Sequence, residues 1–139
     1  MDTNVLLDVL CGENRPYSES SRIIVLAIKS DLLEGELSTQ SFLDASYILF
    51  RGKQNPVFSE KKLRLMDFIK IDSIDSFDIR EAFDSPKGDL EDNAQYACAT
   101  EAACDVFLTS DKDFIKQYEG ENLHIRFFTP EEFVAKLQG

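Results

Sequence analysis

The sequence predicts an α/β fold built on a largely parallel sheet. Short apolar runs alternate with longer stretches of helical periodicity over short connections, the pattern a parallel sheet imposes. The 139 residues suit one domain, taken here as residues 1–139. A chain of that size buries roughly two-thirds of the surface it exposes when unfolded, enough for a core without staples. The hydrophobic share of 43%, with 11 Phe and no Trp, places it among globular rather than disordered chains.

Asp2-Thr3-Asn4 leads into the apolar run Val5-Leu6-Leu7. Ser18 then starts a helix reaching about Leu33 and stopped by Gly35, with Ile24, Ala27, Ile28 and Leu32 on one face. Glu36–Thr39 is a short extended piece. Ser41–Phe50 is apolar on nearly every side, which predicts a buried helix ending at Gly52. Asn55-Pro56 marks a turn, Val57–Met66 a further helix and Phe68–Ile71 a strand. Phe77–Phe83 reads as a short helix, and Ser85-Pro86-Lys87-Gly88 breaks the chain. Asp89 opens a helix to about Ala103 whose core face (Leu90, Ala94, Ala97, Cys98) includes small residues that let it lie close to a sheet. Val106–Leu108 is a strand, Asp113–Tyr118 a helical turn or two, and Ile125–Phe128 a last strand. Pro130–Leu137 closes the chain as a helix with proline at its first position.

The longest apolar run, Ile23–Ile28, is far short of the roughly 18 residues a membrane helix needs. Asp2 and Asp8 interrupt the start, so no secretory signal is expected. Cys11, Cys98 and Cys104 lack paired-ligand spacing and read as reduced thiols of a cytoplasmic protein. A net charge of −11 argues against a basic nucleic-acid face and for a basic protein partner. It leaves room for carboxylates that bind metal.

The informative acids stand where acids are awkward. Asp44 is the only charge within Ser41–Phe50, and a buried carboxylate needs a cation, donors or a proton. Asp92 lies in the first turn of its helix. Asp111 and Asp113 follow the Val106 strand, facing the crevice where open α/β sheets bind ligands. Each has an ordinary alternative: Asp89, Asp92 and Asp111 suit helix starts, and Asp8 and Glu91 suit solvated surface.

Asp2-Thr3-Asn4-Val5-Leu6-Leu7-Asp8 resembles the opening signature of the PIN-domain ribonucleases. Asp89-Leu90-Glu91-Asp92-Asn93-Ala94, with Leu108-Thr109-Ser110-Asp111-Lys112-Asp113 and Phe128-Thr129-Pro130-Glu131, is similar to the family's second half. The resemblance spans essentially the whole chain and implies a three-layer α/β/α fold around a parallel sheet of about five strands. It implies endoribonuclease activity by Mg²⁺- or Mn²⁺-activated water, as in the toxin half of toxin–antitoxin pairs, with an RNA substrate, a basic antitoxin and a homodimer. It assigns metal-binding carboxylates to Asp2 and Asp92 and a fourth acid to Asp111, with Asp113 as its rival. Asn4, Ser38 and Thr109 match supporting polar positions. Asp44 stands where the family usually carries Glu, one methylene longer. Only Met1 precedes the first acid, so the first strand of the sheet is expected to be truncated.

Hard divalent cations prefer oxygen ligands, and Mg²⁺ keeps several waters beside a few carboxylates. The competing reading is an inactive PIN-like module that binds RNA or protein. A phosphoacceptor receiver domain would want an acidic pair at the start and a Lys after Ile125–Phe128, and neither is present. A phosphatase built on an Asp-x-Asp nucleophile is disfavoured by Asn4. His124 has no Cys or His at ligand spacing and reads as structural or surface. Lys61, Lys62 and Arg64 read as a solvated helix face.

Overall fold

In the computed structural model the described residues are 1–12, 14–51, 56–64 and 66–139. They form α1 (Thr3–Leu10), α2 (Ser18–Lys29), β1 (Glu36–Ser38), α3 (Thr39–Arg51), α4 (Pro56–Arg64), β2 (Lys70–Asp72) and α5 (Ser76–Asp84). The second half adds α6 (Leu90–Glu101), β3 (Val106–Leu108), α7 (Lys112–Tyr118), β4 (Arg126–Phe128) and α8 (Pro130–Gln138). Every pairing is parallel: Leu37 stands opposite Ile71 in β1–β2, and Phe107 opposite Phe127 in β3–β4.

Side-chain alternation along the strands sorts the helices into layers. Leu108 and Phe128 face an aliphatic core with Val5, Leu6, Leu7 and Leu10 of α1, Ile24 and Ile28 of α2, Leu37 of β1 and Val134 of α8. Phe107 and Phe127 face the other way, onto Ala99 of α6 and Phe114 and Tyr118 of α7. That second cluster is aromatic, with the Phe107 and Phe114 rings stacked at 4.9 Å. Helices therefore cover both faces, as an α/β PIN-like fold requires.

The strands form two separate pairs rather than one sheet of about five. Met1 and Asp2 lie between the pairs. The Met1 ammonium donates to the Glu36 carbonyl at 2.9 Å, and the Asp2 amide donates to the Leu108 carbonyl at 3.0 Å. Two residues cannot supply a strand's length of ladder, so they link β1 to β3 at one point each. Behind Met1 lies a cavity of about 380 Å³ lined by Ile24, Ile28, Gly35, Val106 and Leu108. Burial there pushes the Met1 ammonium below its usual pKa.

Several local expectations shift. Val5-Leu6-Leu7 forms helix α1, capped by Asp2, with all three residues at most 2% exposed. Helix α2 ends at Lys29, four residues early, because Asp31 takes a positive φ of 59°; Leu32 is consequently 77% exposed. Strand β2 begins at Lys70, two residues after Phe68. Helix α3 is not buried on nearly every side: Ala45 and Leu49 face the core, while Leu43 and Tyr47 are each 62% exposed. Tertiary neighbours cover one face of a helix whose composition would suit several. The predicted stop at Gly52 and the Asn55 half of the predicted turn lie outside the described residues. Leu90 is exposed, and Asn93 takes the core position beside Ala94 and Cys98. Its amide donates to the Ala82 carbonyl of α5, and its oxygen accepts from the Tyr118 hydroxyl of α7.

Candidate functional site

Asp2 occupies the centre of the candidate site because it ends the link between the strand pairs and starts α1. Its Oδ1 accepts from the Asn4 and Val5 amides at 3.1 and 3.3 Å, the bonds of a helix N-cap. Its Oδ2 accepts from the Thr109 hydroxyl. Burial raises the Asp2 pKa, against the opposing pull of Thr109, the Met1 ammonium and the two amides. Thr109 is 1% exposed and also accepts from the Asp111 amide at 3.0 Å. One buried hydroxyl thus fixes Asp2 and the turn carrying Asp111.

Asp111 caps α7, its Oδ1 accepting from the Asp113 and Phe114 amides. Asp92 sits in the first turn of α6, after Gly88 at φ 55° and the N-cap Asp89, which accepts from the Asp92 amide at 2.8 Å. Burial raises the Asp92 pKa first, and the negative charges of Asp89 and Asp111 raise it further. Asp2, Thr109, Asp111 and Asp92 therefore share one neighbourhood. The links among them run through Asp111; Asp113 is exposed and joins only through its amide.

Asp44 is half-buried rather than enclosed, and the Gln40 amide donates to it at 2.8 Å. It reaches the other acids through Glu91, whose pKa rises by burial, then by repulsion from Asp44, Asp89 and Asp92 and by contact with the Asp44 carboxylate. Ser38 is buried and donates to Gln95 at 2.6 Å, while Gln95 donates to Ser41 at 3.2 Å. Ser38 thus ties β1 to α6 and α3. Asn4 accepts from Arg15, which also holds Asp8 at 2.8 Å. Asp8 is 2% exposed and accepts from Ser21 as well, so it is a buried ion-paired group, not solvated surface.

Sequence reasoning reads Glu91 as solvated surface and does not single out Gln95. Their positions beside Asp92 and one turn beyond Glu91 on α6 were the available signal. Among the described residues no Lys or Arg pairs with Asp2, Asp44, Asp92 or Asp111. The donors are all hard oxygens, and Asp92 is repelled by the charge of Asp111, so the set fits Mg²⁺ or Mn²⁺. The Asp2–Asp92–Asp111 set is open: among the described residues the one group of three acids converging within 4.8 Å is Asp75, Asp78 and Glu101, away from this site. An open set suits an ion that retains much of its water.

Residues 1–113 match the PIN domain family, in keeping with the α/β fold, and the chain belongs to it. It is similar to Ribonuclease VapC1 of Aquifex aeolicus (strain VF5), with 28% identity over 143 residues covering 98% of this chain and 92% of that protein. Among the described residues no helix is long and apolar enough to cross a membrane.

Proposed function

We propose that residues 1–139 form one domain acting as a metal-dependent endoribonuclease that hydrolyses RNA phosphodiester bonds. The observation that carries this reading is the unneutralised carboxylate group: Asp2 and Asp111 organised by Thr109, with Asp92 facing Asp111. Family membership and the similarity to a protein named a ribonuclease support it. Asp2, Asp92 and Asp111 would hold Mg²⁺ or Mn²⁺. When bound, such an ion lowers the pKa of a coordinated water and offsets the charge of the phosphodiester. Thr109 keeps Asp2 oriented and ionisable, and the α6 and α7 starts favour negative charge on their capping acids. Asp44 with Glu91 would stand beside that carboxylate group, and Asn4 would be steadied by Arg15.

The setting we propose is the cytoplasm, as the toxin of a toxin–antitoxin pair with a basic antitoxin. The net charge of −11 supports a basic partner. The exposed apolar face of α3 (Leu43, Tyr47, Ile48, Phe50) supports a homodimer. Light scattering at several concentrations tests that state, and a monomer throughout would remove it.

Mn²⁺ titration by calorimetry on the wild type and on Asp92→Asn, beside RNA cleavage with and without metal, tests the central reading. Loss in the variant of the Mn²⁺ held by Asp2, Asp92 and Asp111, together with metal-dependent cleavage by the wild type, is expected. Binding without cleavage would favour the alternative, an inactive PIN-like binding module, whose supporting feature is the split pair of sheets.

A further inference from the structure

A second group of acids occupies the end of α6 remote from Asp92. Asp75 caps α5, Asp78 lies in its first turn, and Glu101 is the last residue of α6. These three carboxylates each bring one oxygen within 4.8 Å of the others. Asp75 and Asp78 form a capping box in which Asp75 Oδ1 accepts from the Asp78 amide and Asp78 Oδ2 accepts from the Asp75 amide, each at 3.1 Å. The box uses one oxygen of each. Asp78 is 0% exposed, and its remaining oxygen, Oδ1, is buried without a hydrogen-bond partner.

A buried carboxylate oxygen with nothing to accept from is among the costliest arrangements in a folded chain. Among the described residues no Lys or Arg forms an ion pair with Asp75, Asp78 or Glu101. Asp78 meets α6 directly: its negative charge adds to burial in pushing the Cys98 thiol, one turn before Glu101, up to about 12. Glu101 is pushed up to about 7, first by contact with the Asp78 carboxylate, then by desolvation and by repulsion from Asp78 and Asp75. Two carboxylates in contact require a shared proton or a cation between them.

We propose that Asp75, Asp78 and Glu101 form a binding site for a hard divalent cation that clasps the start of α5 to the end of α6. The donors are oxygens only, and the free atoms after capping are Asp75 Oδ2, Asp78 Oδ1 and the Glu101 carboxylate. Opposite ligands of Ca²⁺ stand about 4.6–5.2 Å apart, so a spacing of no more than 4.8 Å lies within reach of an ion of that size. Asp75 and Glu101 are exposed, leaving room for water to complete the shell. The three converging carboxylates supply enough negative charge to hold a divalent cation. The site stands apart from the nuclease reading and does not depend on it.

Calorimetric titration with Mn²⁺ at pH 8 tests this in the full chain, in Asp92→Asn, in Glu101→Gln and in the double variant. Glu101→Gln should lower the Mn²⁺ stoichiometry by one in either background, and Mn²⁺ should raise the melting temperature of Asp92→Asn but not of the double variant. Glu101→Lys in the Asp92→Asn background, which puts an ammonium in the site, should melt above Asp92→Asn without metal and ignore Mn²⁺. Stoichiometry unchanged by Glu101→Gln would overturn the proposal. So would a stability that follows pH through 7 identically with and without Mn²⁺, since that is the signature of a shared proton alone. No arm reads RNA cleavage, so failure of the nuclease reading would leave this result standing.

Discussion

The two ends of α6 carry the same chemistry in opposite arrangements. At its first turn Asp92 shares an open neighbourhood with Asp2, Asp111 and Glu91, each borne on a different turn or helix start. Asp92 and Glu101 are nine residues apart, about 13 Å along the helix. At that far end three acids close on a buried carboxylate that lacks a partner. At the first turn, capping amides and one threonine hydroxyl restrain the acids while leaving them apart. Acids at separate helix starts are therefore held cheaply by capping amides, whereas acids of a helix start pressed against a second helix's end demand a counter-charge.

The largest effect expected from breaking the contrast is on catalysis. Asp92→Asn should slow metal-dependent RNA cleavage about a hundredfold or more. Its melting temperature should stay level or rise, because repulsion from Asp89 and Asp111 disappears. Initial rates and a thermal melt check both, and an unchanged rate would mean that the open end is not the working end.

Thr109→Ala should weaken Mn²⁺ binding about 10–100-fold and destabilise the fold by about 1–3 kcal/mol, since it strips a partner from Asp2 and from the Asp111 amide. Thr109→Ser should restore most of the affinity. Parallel losses in the serine variant would show that the methyl group, not the hydroxyl, matters.

The closed end should reveal itself in pH dependence without metal. Glu101 moves from an ordinary 4.5 to about 7 on folding, so the folded state holds its proton more tightly. The resulting stabilisation is complete below 4.5, is lost as pH rises toward about 7, and is absent above it. Urea melts of wild type and Glu101→Gln across that window should differ in slope, and identical slopes would place the coupling elsewhere.

The smallest effect belongs to Asp113. Asp113→Asn should alter stability by no more than about 0.5 kcal/mol. It should reduce cleavage less than Asp111→Asn does, by about tenfold or more. The reverse ranking would make Asp113 the fourth acid.

Much of this molecule could be read locally. The strands at Glu36, Val106 and Ile125 and the helices from Ser18, Ser41, Val57, Phe77 and Pro130 follow from periodicity and punctuation, with ends off by a few residues. The grouping of Asp2, Asp92 and Asp111 comes from the family resemblance, since taken singly each acid has an ordinary role at a helix start. What escaped depends on distant partners. Asp8 looked solvated, yet its partners Arg15 and Ser21 come from beyond a turn and from the next helix. Asp78 sits in an ordinary amphipathic stretch, and only the docking of α5 on α6 buries it. Asp44 seemed to lack any explanation but a site, because α3 was expected to be enclosed; its actual half-exposure removes that demand.

The link formed by Met1 and Asp2 governs how this protein can be handled. The Met1 ammonium is a hydrogen-bond donor inside the fold, with a cavity continuing behind it, and the next residue is a candidate metal ligand. A chemical change at that amine would act on the Glu36 carbonyl and, one residue on, on Asp2. Gly139 is exposed at the other terminus, beyond the last turn of α8. Purification handles and surface-immobilisation linkers belong there, where they leave the joint between the strand pairs as it is.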